Sequence, residues 1–136
     1  MRRLLSLLLL LLVHVPAAAG EPVTQTFAAP IDRVWATTIA VLKHHGWDID
    51  KEDRPIGWLT TDSRRVEGED YGVYAKGTRH RLTLHLKAVG NDRTQVSVER
   101  AVFKRERILW VDNDEPITVA DRDVEKALLA AIQKSL

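Results

Sequence analysis

Between Arg79 and Phe103 the chain alternates, and that alternation limits what it can become. In RHRLTLHLKAV, Leu82, Leu84, Leu86 and Ala88 fall on one side while Thr83, His85 and Lys87 fall on the other. After Gly90-Asn91-Asp92, the stretch TQVSVERAVF continues the rhythm with Val96, Val98 and Val102 inward. A period of two is that of a pleated strand, and the Gly-Asn-Asp step is turn chemistry, so the segment predicts an antiparallel hairpin with one dry face and one wet face. A dry sheet face needs a cover.

Two helical stripes are available to provide it. Pro30 suits a first helical turn, and from there Ile31, Val34, Trp35, Thr38, Val41, Leu42 and His45 recur at i, i+3, i+4 spacing until Gly46 closes the helix. On this wheel His45 belongs to the buried stripe and His44 to its rim. At the other end, ADRDVEKALLAAIQKSL carries Val124, Ala127, Leu128, Ala131 and Ile132 on one stripe, with acids in its first turn and Lys134 in its last.

The remaining segments read as follows. Val23 to Phe27 forms a first strand, WDID a second, and GWLTTDSRRV a third joined to it through KEDRP. Residues 67–77, EGEDYGVYAKG, have three glycines and no period, and read as a long loop. ILWV, residues 108–111, is either a further strand or a buried connector, ahead of a DNDEP turn. The sum predicts an α+β two-layer sandwich, with an antiparallel sheet of four to five strands packed against an N-terminal and a C-terminal helix.

Residues 1–19 have the marks of a secretory signal peptide: Arg2-Arg3, an apolar run from Leu4 to Val15, then Pro16 and Ala17-Ala18-Ala19. The run falls short of the roughly 20 apolar residues that cross a bilayer. Cleavage after Ala19 is expected, leaving residues 20–136 as one domain in the periplasm, without a transmembrane anchor. Removing Arg2 and Arg3 from 20 basic residues leaves 18 against 19 acidic ones, a formal charge of −1 in place of +1. No global field draws such a chain to nucleic acid. With no cysteine, neither disulfide nor lipid-bearing thiol is available.

Catalytic and metal-binding patterns are not found. His44 and His45 are adjacent on a helix and diverge by about 100°, and His80 and His85 are an odd number apart on one strand, which sends them to opposite faces. No nucleophile elbow or phosphate loop occurs, and Glu67, Glu69 and Asp70 read as solvated charges. The expectation is a non-enzyme with no cofactor and no metal. Arg79-His80-Arg81 and Lys104-Arg105-Glu106-Arg107, interleaved with acids, read as a polar sheet face, with a weak anionic-lipid or partner contact as the alternative. Trp35 and Trp47 belong to the core. Trp58, Tyr71, Tyr74 and Trp110 are harder to bury together, and Tyr71, Tyr74 and Trp110 are the candidate partner-binding residues.

The stretch TFAAPIDRVWATTIAVLKHHGWDIDKEDRPIGWLTT resembles the repeated domain of the outer membrane protein assembly factor BamC (NlpB lipoprotein) family, where a helix opening on a drvW motif leads into a strand, a turn and a g-x-(I/L/V)-x-T strand. RHRLTLHL and RTQVSVER are similar to that domain's final hairpin. The resemblance implies a helix-grip or TBP-like fold and a non-enzymatic, protein-binding or accessory role in cell-envelope assembly, with an envelope protein as partner and a possible peripheral membrane contact. A helix-grip carrier of a lipid or other small hydrophobic ligand is the alternative.

Overall fold

The computed structural model of the protein describes residues 20–136. The leader expected over residues 1–19 lies outside the described residues. In chain order the elements are β1 (Val23–Phe27), α1 (Ile31–His44), β2 (Ile49–Asp53), β3 (Trp58–Thr61), β4 (Arg64–Asp70), β5 (Ala75–Gly90), β6 (Arg93–Ile108), β7 (Val111–Ile117) and α2 (Asp123–Ser135). The architecture is α+β, with seven antiparallel strands and both helices packed on one face of the sheet. Five strands run in the order β1-β6-β5-β3-β2, while β4 pairs with β5 and β7 with β6 away from that path.

The helix ends follow from sequence chemistry. Gly46 takes φ +82°, its N–H donates to Lys43 O at 3.0 Å, and the Trp47 N–H donates to Leu42 O at 2.9 Å. This is the Schellman closure that a glycine permits and a side chain resists. Val34, Trp35, Thr38, Val41 and Leu42 form the buried face of α1. His45 is exposed, contrary to the stripe: the chain leaves the helix there, so the wheel no longer applies. The stripe of α2 is rotated from the expected one, burying Glu125, Leu128, Leu129 and Ile132 and exposing Ala127. Glu125 is only 1 % exposed and accepts from Arg100 Nε at 2.8 Å. Arg100 occupies the inward position between Val98 and Val102, so the layers are bridged by a buried ion pair.

Length decides which part of the sheet is covered. β5 and β6 have 16 residues each, about 50 Å of extended chain. The helices have 14 and 13, about 20 Å each. They cover the end where β1, β6, β5, β3 and β2 lie side by side. The other end, in the order β7-β6-β5-β4, stands beyond them as a four-stranded extension whose β4 and β7 are almost wholly exposed.

That extension corrects three sequence readings. Residues 67–77 are not a loop but the end of β4, a four-residue turn and the start of β5. DNDEP is not a turn but the body of β7. ILWV is not buried: Ile108 ends β6, Val111 opens β7, and Leu109 and Trp110 turn between them. GWLTTDSRRV likewise divides, with β3 and β4 pairing with opposite halves of β5. Strands solvated on both faces need no hydrophobic alternation, so none is written into them. Gly68 and Gly77 face each other where the backbones come closest. Gly68 has φ +100°, and a Cβ there would lie 2.2 Å from Lys76 O. Ala88, expected inward, is exposed near the turn end of β5.

Candidate functional site

The far end of the extension is built from two hairpin turns. In the β4–β5 turn the Tyr71 N–H donates to Tyr74 O at 2.7 Å, and the Gly72 N–H donates to the Asp70 carboxylate at 2.9 Å. In the β6–β7 turn Ile108 pairs with Val111, and the two residues between them take positive φ, 49° at Leu109 and 68° at Trp110. A two-residue turn with both φ positive matches the twist of flanking strands, but its natural occupants are Asn-Gly and Asp-Gly. Bulky side chains in this region cost about 1–2 kcal/mol each. Stability therefore does not explain Leu109-Trp110.

The two turns are joined sideways. The Trp110 N–H donates to Val73 O at 3.2 Å, Arg107 Nη1 donates to Gly72 O at 3.2 Å, and the Trp110 ring lies over Gly72. Tyr71, Tyr74 and Trp110, the residues expected from sequence, are thus brought together. They are 72 %, 52 % and 71 % exposed. Sequence reasoning missed Ile108, Leu109 and Val111, which are 54 %, 63 % and 70 % exposed beside them. Ordinary surfaces scatter such residues singly, whereas a rimmed apolar cluster marks a contact site.

Directly behind this tip lies a ladder of paired charges. Arg107 Nε donates to Asp112 at 2.6 Å, while its Nη1 reaches Asp70 at 3.2 Å. Arg105 grips Asp114 through two bonds of 2.8 and 3.0 Å. The Gly72 amide, followed by Arg107, holds the Asp70 carboxyl below the usual range, and the Arg105 hydrogen bond does the same for Asp114. The bonds that Arg107 donates to Asp112 and Arg105 donates to Asp114 raise the two guanidinium groups in turn. Tyr71 donates to Glu69 at 2.6 Å, which pushes its phenol up. The charges stay paired, and the apolar side chains ahead of them stay bare.

The other sequence candidates disperse. His44 and His45 are exposed, and His85 lies on the helix-free face beside the half-exposed Trp58, ring centres 6.2 Å apart. Glu67, Glu69 and Asp70 are exposed on β4. His80 is buried where the covered and uncovered halves meet, tilted against Trp47 at 4.7 Å, with Nε2 accepting from Arg64 Nε at 3.2 Å and Nδ1 unpartnered. Burial, then the charges of Arg64, Arg100 and Arg79, lower its pKa to about 4. Trp35 and Trp47 are in the core, as expected.

Among the described residues no group of three or more His, Asp or Glu side chains is arranged to hold a metal ion, and no helix is long and apolar enough to cross a membrane. The hollows at the surface are open grooves. One, about 270 Å³, lies on the helix-side face of the extension among Glu67, Lys76, Thr78, Lys104, Glu106 and Glu115. Another, about 220 Å³, runs beside the tip between Tyr71, Tyr74 and Ile108. No family model matches this chain, and no curated protein matches its sequence.

Proposed function

We propose that this protein is a non-enzymatic accessory module of cell-envelope assembly, exported to the periplasm, that acts by contact with an envelope protein partner. The observation that carries the reading is the tip: six large apolar side chains from two interlocked turns, held bare on a strained backbone ahead of paired charges. Aromatic residues on a rigid frame supply contact area at little ordering cost. Tyr71, Tyr74 and Trp110 are its anchors. The resemblance to the BamC family in the segment from Thr26 to Thr61 supports the compartment and the type of role.

A carrier role gains no such support. The space between helices and sheet, where a helix-grip ligand would sit, is filled by Phe27, Leu42, Leu82, Leu84, Val96 and Ile132, each fully buried.

Photo-crosslinkers placed at Tyr74 and Trp110 in growing cells test the proposal. They are expected to capture subunits of the outer-membrane assembly machinery, and replacing Leu109 and Trp110 by Asn and Gly is expected to abolish the capture. Crosslinks that avoid that machinery, or that persist unchanged in the double variant, would overturn it.

A further inference from the structure

The tip has a shape and a composition that together point to what it meets. Leu109, Trp110 and Val111 stand at the outermost point of a long hairpin and are 63–71 % exposed, so they project beyond the groove between Tyr71, Tyr74 and Ile108. Peptide recognition uses sheet edges and grooves, which the groove between Tyr71, Tyr74 and Ile108 offers and the projecting Leu109-Trp110 point does not. A bilayer surface needs no complementary shape. Its interfacial layer takes up Trp and Tyr, whose rings are apolar with one polar atom, and aliphatic side chains just beyond them.

The charges behind the tip sharpen this. Across Glu69–Asp70, Lys76, Lys104–Arg107 and Asp112–Asp114 there are five carboxylates against four cations, and the innermost are matched in ion pairs. Such a collar offers an anionic surface no net attraction, unlike the basic clusters that bind acidic lipid. Paired charges also lose less on approaching a medium of low polarity than free ones do. The two turns are already fastened together by Trp110 N–H to Val73 O and Arg107 to Gly72 O. Insertion therefore requires no folding step.

We propose that the Leu109-Trp110 tip, with Tyr71 and Tyr74 at its flank, seats in the interfacial layer of a lipid bilayer by apolar burial, independently of lipid charge. This rests on the reading of the tip as the contact surface and goes beyond it, adding lipid at the outermost point beside the protein partner. The strained turn is then the means of aiming two large side chains outward along the hairpin axis. The module meets its protein partner at the membrane surface, with its helix-covered end held away from the lipid.

The test uses purified protein with vesicles of phosphatidylcholine and phosphatidylethanolamine, with or without phosphatidylglycerol. Cosedimentation with both is expected, differing by less than about twofold between them and between low and high salt. Brominated lipids should quench tryptophan fluorescence, and the quenchable part should vanish in Trp110→Phe. Leu109→Asn with Trp110→Gly suits the turn and should keep the fold, yet weaken binding at least about tenfold. Absence of binding to either vesicle overturns the inference, as does unchanged binding of the double variant. Binding confined to phosphatidylglycerol and released by salt also overturns it, because another, charged surface would then be responsible. If vesicles are not bound while crosslinks to the assembly machinery need the tip, the tip faces protein: this inference falls and the proposed function stands. Vesicle binding through the tip without those crosslinks gives the converse.

Discussion

The covered and uncovered halves of the β5–β6 hairpin share one pair of strands and differ in nearly everything else. In the covered half, Leu82, Leu84, Leu86, Val96 and Val98 lie at 2 % exposure or less beneath two helices. In the uncovered half, the same strands carry Lys76, Thr78, Lys104 and Glu106 on the helix side and the Arg105–Arg107 ladder on the other. The first half is held by burial. The second is held by backbone ladders, ion pairs and Phe103, which lies between the guanidinium groups of Arg81 and Arg105 at 5.2 and 5.4 Å. Surface pairs are worth at most about 1 kcal/mol each. The difference teaches that stability resides under the helices, while the extension carries its apolar end on hydrogen bonds and ion pairs.

The sharpest way to break this contrast is to damage the covered half. Glu125→Ala leaves the buried Arg100 with only its longer contacts to Asp121 at 3.4 Å and should cost about 3 kcal/mol in urea unfolding. Arg100→Met combined with Glu125→Leu should recover most of the loss, since an apolar pair of similar volume has no charge to desolvate. An unchanged midpoint in the single variant would mean that the two halves are not energetically distinct.

The boundary between the halves is sensitive to acid. His80 has its folded pKa depressed to about 4 from 6.5, so the unfolded chain takes up its proton first. Its contribution to stability is complete above about pH 6.5 and is lost as the pH falls towards 4. The depressed carboxyls of Asp70 and Asp114 act only at lower pH, because their contributions are lost below the ordinary carboxylate pKa of 3.8. Urea midpoints measured between pH 7 and 4.5 should decline in the native protein and stay nearly level in His80→Leu.

At the tip the effect on stability should be smaller and of opposite sign. Replacing Leu109-Trp110 by Asn-Gly is expected to raise stability by about 1–2 kcal/mol, the relief of two unfavourable φ angles less the lost contact of the Trp110 ring with Gly72. A fall instead would show that the tip is part of the core's support rather than a feature kept at its expense.

The covered half was legible in the sequence because burial imposes a period. Pro30 and Gly46 bracketed α1, and alternating leucines and valines placed the hairpin. EGED and DNDEP, solvated on both faces, carry no period, so the end of β4 reads as part of a loop and the body of β7 as a turn. Tyr71, Tyr74 and Trp110 were recognisable as aromatics outside any stripe. Their union with Ile108, Leu109 and Val111 was not, since it depends on two turns more than 30 residues apart lying side by side. The Leu-Trp turn gave no signal either, lacking the glycine such a turn favours. Arg100 left one clue, a cation at an inward position between Val98 and Val102; its acidic partner in α2 was read only as a dipole complement.

The outer margin of β7 has a consequence of its own. Asp112, Asp114, Glu115 and Pro116 follow one another along a strand that pairs only with β6. Proline brings no amide hydrogen to that rim, and a second copy laid alongside would set carboxylate against carboxylate. Two copies meeting at this margin are therefore kept from joining their sheets through it.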